Sequence, residues 1–228
     1  MSDRVIVITG GHGVLGRAVL EAALADGLKV AVIDHASGRT APDGVLELGG
    51  VDLTDGAATE RAIGAAADRF GRLDALLNIA GGFVWQTTDD ADPAWDRMHA
   101  LNLKTALNAS RAALPWLKRS DEGRIVNVGA NAALKSPGGM GAYAASKAGV
   151  HRLTESLAEE LKATTVTVNA VLPSILDTEQ NRKDMPDADP AKWVRPADLA
   201  RVMLFLASPD SRAITGALIP VTGGRPML

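Results

Sequence analysis

Seven short runs of mostly apolar residues, at 5–9, 30–34, 46–48, 75–79, 124–128, 165–172 and 217–221, recur along the chain with little polar alternation. A strand with one wet face alternates apolar and polar residues, so runs of this kind belong to strands covered on both faces. Between them lie stretches with helical spacing of apolar residues, at 15–26, 57–70, 93–118, 141–162 and 196–207. Parallel strands need long crossovers, and helices supply them while covering the sheet. The pattern predicts an α/β fold: a doubly wound parallel sheet of about seven strands with helices on both faces, built as a single domain over 1–228. In such a sheet the ligand crevice lies beyond the carboxyl ends of the strands.

Composition narrows the partners. Aromatic residues make up 4% of the 228 residues, so the core is expected to be Ala, Val, Leu and Ile. A net charge of −3 speaks against nucleic acid or an anionic membrane as partner. With no cysteine, disulfides, thiolate catalysis and Cys-ligated metal are excluded, and no metal site is expected. Met1-Ser2-Asp3-Arg4 leads into an apolar run that Gly10 and Gly11 cut too short for a signal peptide, so a cytoplasmic location is expected. The segment 177–195 is rich in Asp, Pro and charge and is read as a lid or loop over the crevice.

The first strand runs into Gly10-Gly11-His12-Gly13-Val14-Leu15-Gly16, which contains G-x-G-x-x-G and opens a helix. Glycines there allow a tight turn and close approach of a pyrophosphate to the free N–H groups of the helix N-terminus. Asp34, ending the second strand, can accept hydrogen bonds from a ribose and repels a 2′-phosphate. This is the pattern of a Rossmann dinucleotide site and favours NAD(H). His35 and Arg39 nearby keep NADP(H) open.

A second constellation supplies chemistry. Tyr143 and Lys147 stand four residues apart in a helical stretch and share a face. A cation beside a phenol stabilises phenolate, so Lys147 is expected to lower the Tyr143 pKa and make it a general acid/base. Tyr143 is the only tyrosine in the chain.

Taken together, the nucleotide turn, Asp34 and the Tyr143/Lys147 pair resemble the short-chain dehydrogenase/reductase family along essentially the whole chain. The resemblance implies that Asp52 and Leu53 contact adenine, and that the segment of Asn78, Ile79, Ala80 and Gly81 lines the cofactor. It further implies that Asn102 holds a proton-relay water, and that Pro173, Ser174, Ile175 and Thr178 belong to a nicotinamide-binding segment. Lys147 would bind the nicotinamide ribose as well. The family pairs its long helices, here 93–118 and 141–162, in homodimers or homotetramers. Three positions depart from the family pattern. Val14 replaces a turn glycine, Ser174 replaces a glycine after Pro173, and Ala130 stands where the catalytic serine is expected, thirteen residues before Tyr143. Ser136 is the candidate replacement. Together with the wording of the 177–195 segment, these departures resemble the quinonoid dihydropteridine reductase branch.

The expected reaction is hydride transfer from NADH to an activated C=N or quinonoid substrate, with Tyr143 as proton donor and Trp85 placed to stack on a flat ring. The alternatives are a carbonyl reductase or alcohol dehydrogenase acting on small ketones, of 3-oxoacyl reductase type, and a non-catalytic NAD-binding sensor.

Overall fold

Strand residues point alternately to the two sides of a sheet, and here each side is covered. In the computed structural model, which describes residues 3–38, 41–90 and 94–224, Val5 and Val7 of β1 (Val5–Thr9) pack into one apolar layer and Ile6 and Ile8 into the other. The remaining strands are β2 (Lys29–Ile33), β3 (Leu46–Leu48), β4 (Ala75–Asn78), β5 (Arg124–Val128), β6 (Thr167–Pro173) and β7 (Leu218–Val221). All seven pair in parallel, in the order β3-β2-β1-β4-β5-β6-β7. The chain winds outward from β1 in one direction and then, from β4, in the other, which leaves a gap between neighbouring crossovers at the β1/β4 boundary.

Helices α1 (Val14–Ala25) and α7 (Pro196–Leu206) cover one side, with Val19, Leu199 and Met203 against Ile6, Ile8 and Leu77. On the other side, α2 (Gly56–Phe70), α4 (Thr105–Leu117) and α5 (Gly141–Glu160) bring Ile63, Leu117 and Leu157 against Val5, Leu76 and Ile125. Asp55 caps α2 by accepting from the Ala57 and Ala58 amides, and Gly71 ends it with φ +75°, a left-handed stop that glycine adopts without strain.

Two predicted elements take a different form. The helix expected over 93–118 is broken into α3 (Ala94–Met98), a π-helical segment (His99–Lys104) and α4. Periodicity alone does not show an inserted residue in a helix, and such insertions often mark functional sites; this one carries Asn102. Residue 93, where the helix was expected to begin, lies outside the described residues. The expected lid or loop over 177–195 contains helix α6 (Glu179–Asp184), capped by the Thr178 hydroxyl, and a 3-10 turn at Pro190–Lys192. Its far end is pinned by a bridge between Leu176 and Val194, with Trp193 and Val194 buried. No helix among the described residues is long and apolar enough to cross a membrane.

The amino ends of the central strands are tied by one carboxylate. Asp74, fully buried, accepts from the Val5 amide (2.9 Å), the Arg72 guanidinium (2.7 and 2.9 Å) and the Ser120 hydroxyl (2.7 Å). Burial raises its pKa, and the bonds from Arg72, Ser120 and Val5 outweigh burial and hold it below the ordinary 3.8. The ionised form is therefore favoured by folding. Its contribution is present above the unfolded-state value and is lost as pH falls through the lower folded value. We expect Asp74→Asn to cost about 2–4 kcal/mol in urea unfolding at neutral pH, because a buried amide and hydroxyl lose a charged acceptor. The variant is also expected to lose part of the wild type's acid sensitivity below about pH 4.

Candidate active site

At the opposite end of the sheet, beyond the carboxyl ends of β1 and β4, opens a crevice of about 770 Å³. Its wall starts with the glycine turn. Gly10 has φ +69°, and a Cβ there would lie 2.8 Å from the Ala80 backbone; a Cβ on Gly16 would lie 2.2 Å from the Gly10 carbonyl. The first turn thus touches both the end of β4 and the start of α1. Gly10, Gly13, Val14, Leu15 and Gly16 line the crevice. No side chain caps α1 and no acidic residue lies in its first turn, so its amide end faces the opening uncompensated. This cradle fits the diphosphate of a dinucleotide. Gly11 faces the sheet instead, since a Cβ there would lie 2.3 Å from a Val32 methyl.

One end of the crevice is acidic. Asp34 accepts from the His12 and Ala36 amides, both at 2.9 Å, which fixes its carboxylate beside the turn. His12 in turn meets Glu47 at 3.1 Å. Asp52 accepts from the amide and hydroxyl of Thr54, whose bonds hold its pKa down. The Leu53 and Thr54 carbonyls accept from the Asn108 amide, tying this rim to α4. Asn108 was not singled out in the sequence because an Asn inside a helical pattern carries no signal of its own. His35 lines this end also, whereas Arg39 lies outside the described residues.

The other end holds the Tyr143/Lys147 pair on α5, and both side chains line the crevice with Ile79, Ala80, Gly81 and Val128. Lys147, buried, donates to the Val128 carbonyl at 2.7 Å. Burial pushes Tyr143 up to about 12 and Lys147 down to about 8. The expected lowering of the phenol by the ammonium is therefore not what this structure displays: desolvation governs each group.

Asn102 in the π-helical segment is buried, and its side chain bridges. Its Oδ1 accepts from the Gly82 amide (2.9 Å), and its Nδ2 donates to the Gly82 carbonyl (3.1 Å) and to the Ser146 hydroxyl (2.9 Å). It ties the segment after β4 to α5.

Several expected site residues lie elsewhere. Asn78 is buried within the sheet, donating to Asn127 (2.8 Å) and Ser110 (3.0 Å), and does not line the crevice. The Thr178 hydroxyl caps α6, accepting from the Asn181 amide, and Pro173, Ile175 and Thr178 lie outside the lining, to which that segment contributes Leu176. The Ser174 amide donates to the Val221 carbonyl, joining the β6 and β7 ends. Ser136 is exposed and donates to the carbonyl of Pro137 next to it, so it does not replace the hydroxyl missing at Ala130. Ala130 is itself buried, and its amide donates to Nε2 of His151. Trp85 stands at the outer rim, 61% exposed. Phe83, not among the expected site residues because a lone aromatic gives no pattern, lines the crevice with its ring edge-on to Tyr143, 5.0 Å between centroids.

A glycine cradle, an acid at the second strand and a half-buried Tyr beside a buried Lys on a long helix define an oxidoreductase of the dinucleotide-using class. Comparison with known proteins agrees. A family model described as short chain dehydrogenase matches residues 4–189. The 3-oxoacyl-[acyl-carrier-protein] reductase MabA of Mycobacterium tuberculosis is 35% identical over 99% of this chain and 94% of its own length. A crystal structure of levodione reductase superposes with a TM-score of 0.88 at 27% identity, covering 98% of both chains. The structure of a 3-ketoacyl-(acyl-carrier-protein) reductase from Brucella melitensis complexed with NADH gives 0.85 at 27% identity, covering 97% of this chain and 98% of its own. The chain belongs to the short-chain dehydrogenase family and is an oxidoreductase. These relatives are ketone and 3-oxoacyl reductases, so the dihydropteridine-branch reading gives way to the carbonyl-reductase alternative.

His151 offers a test of this site's packing. It is buried, a Cβ on Gly129 would lie 2.5 Å from its Nε2, and that nitrogen accepts a hydrogen bond, so the ring is neutral. Burial, with smaller effects from the Arg152 and Lys147 charges, lowers its pKa from 6.5 to about 4. Between those values the unfolded chain holds one more proton, so stability falls as pH falls through that window, by at most about 1.4 kcal/mol per unit. His151→Gln keeps an acceptor without a titrating ring. Urea unfolding at about pH 7 and about pH 5 should show the wild type losing more stability than the variant.

Proposed function

We propose that the protein is an NAD(H)-dependent ketone reductase, interconverting a ketone and its secondary alcohol, with substrates activated by a neighbouring carbonyl. The observation that carries this reading is the position of Tyr143, at the apolar end of the crevice whose other end carries the diphosphate cradle and Asp34. The 3-oxoacyl and dione reductases among the relatives support it.

The glycine turn and the α1 amides would hold the diphosphate, and Asp34 the adenosine ribose. When bound, the dihydronicotinamide supplies the hydride. Tyr143 stands to donate its phenolic proton to the carbonyl oxygen as negative charge develops there. Lys147, charged below about pH 8, supplies a cation that favours departure of that proton, and its ammonium would also help to hold the cofactor's ribose. Asn102 keeps α5 and the segment around Gly82 in register. Ala130 places no second hydroxyl at the carbonyl, and an absent oxyanion donor typically costs ~2.7–4 kcal/mol of transition-state stabilisation. A second carbonyl beside the reacting one offsets that loss by withdrawing electrons, which is why activated ketones are assigned.

Tyr143→Phe should leave the NADH dissociation constant within about twofold while lowering kcat by about 10²-fold or more, since the ring stays and the proton donor goes. Stopped-flow NADH oxidation with a diketone, beside NADH fluorescence titration, measures both. Retained turnover in this variant contradicts the assignment of the proton donor.

Cofactor choice is assigned to Asp34. Asp34→Ser removes a charge that repels a 2′-phosphate and should raise kcat/KM for NADPH relative to NADH by about tenfold or more. A wild type that already prefers NADPH overturns the assignment.

A further inference from the structure

Two aromatic rings stand at the chemical end of the crevice, Phe83 in its lining and Trp85 outside the lining at the rim, and the fold holds them in place by different means. Phe83 lies edge-on to Tyr143 at 83° between ring planes, in the T-shaped arrangement that aromatic quadrupoles favour. Its ring is nevertheless 52% exposed and lines the opening. Trp85, two residues on, packs against Gly139: a Cβ built there would fall 2.2 Å from the indole nitrogen. Gly139 has φ +75°, and its carbonyl accepts from the Gln86 amide at 2.8 Å. The Trp85 loop is thus clasped to the loop that leads into α5. Each of the two residues keeps more than half of its surface exposed. Among the described residues that line the crevice, the charged groups other than Lys147 (Asp34 and Asp52, with the titratable His35) belong to the adenosine end. The end beside Tyr143 offers Phe83, Leu101 and Leu176.

We infer that Phe83 and Trp85 form the specificity wall of the substrate site, and that the substrate's ketone carries an apolar substituent that packs on those rings. Gly139 is the positioning residue that seats Trp85. This rests on the ketone-reductase reading and narrows its substrate class. A polyhydroxylated or anionic substituent would lose hydration against the wall without gaining a hydrogen bond or a counter-charge. An apolar one gains the contact area.

The test uses three diketones with the same reacting centre: diacetyl, and its analogues in which one methyl is replaced by pentyl or by phenyl. The wild-type enzyme should show a KM at least about tenfold lower for the two larger substrates, the effect of roughly 50–60 Å² of apolar contact. Trp85→Ala should remove that advantage, bringing the KM values for the pentyl and phenyl diketones to within about twofold of that for diacetyl. Gly139→Ala should do the same with Trp85 still present, because its side chain needs the space the indole occupies. If phenyl profits and pentyl does not, the wall selects flat rings; if both profit alike, it selects apolar area, and either result supports the proposal. Equal KM values for all three diketones, or an advantage that survives Trp85→Ala, overturn it while leaving the ketone-reductase reading intact. Should none of the diketones be reduced, that reading falls. Saturation-transfer NMR with NADH-loaded protein then decides the wall by itself. Transfer to the phenyl protons that Trp85→Ala abolishes upholds it, and its absence in the wild type overturns it.

Discussion

The contact on which the site depends is the approach of the first turn to the end of β4. Only a residue without Cβ can stand at position 10, because the Ala80 backbone is 2.8 Å from where that atom would be. Thr9 supports the same junction: its hydroxyl accepts from the Ile79 and Ala80 amides at 3.0 and 3.2 Å. The two halves of the sheet therefore meet with almost no space between their backbones. The crevice opens directly above that seam, with the amide end of α1 on one wall and the Gly81–Phe83 segment on the other. Loosening the seam by even one methyl group would part the two walls that have to grip a single ligand.

Helix α5 provides the second ruler. Tyr143, Lys147 and His151 lie one turn apart, and each reaches a different level of the site. Tyr143 meets the crevice and Phe83, Lys147 the Val128 carbonyl, and His151 the Ala130 amide. Two side chains of one helix thus bond backbone groups on either side of Gly129 at the end of β5, one as donor and one as acceptor. Gly129 lies between those groups and makes room for the imidazole. The polar atoms of the strand end are satisfied by the same helix that bears the phenol, which couples the position of the reacting group to the sheet rather than to a loop.

Much of this was legible in the sequence, for physical reasons that differ by element. Buried parallel strands are apolar on both faces, so all seven runs stood out, with ends displaced by one or two residues. The glycine turn was legible because steric crowding at Gly10 and Gly16 leaves one residue type. Asn78 misled because its motif position says nothing of which way the amide turns; in the fold it answers Asn127 and Ser110. The break at His99–Lys104 left no trace in an apolar period that continues through it. Ser136 was near Tyr143 along the chain, but its loop turns the hydroxyl to solvent. Sign and size of the Tyr143 and Lys147 shifts depend on burial, which spacing along a helix does not report.

The strand order has a consequence for how the protein comes into being. Residues that border the crevice run from Gly10 to Leu176, and β1 pairs with β4 across a stretch that includes Asp74 bonding Val5, 69 positions away in sequence. None of the pairings between neighbouring strands is a hairpin; each waits for a crossover to close. During synthesis the glycine turn is therefore made before the end of β4 that it approaches, and Tyr143 and Lys147 on α5 come later still. The crevice is complete only when the chain through Leu176, beyond α5 and β6, has been delivered and docked, so a copy cut short before that point lacks part of its border.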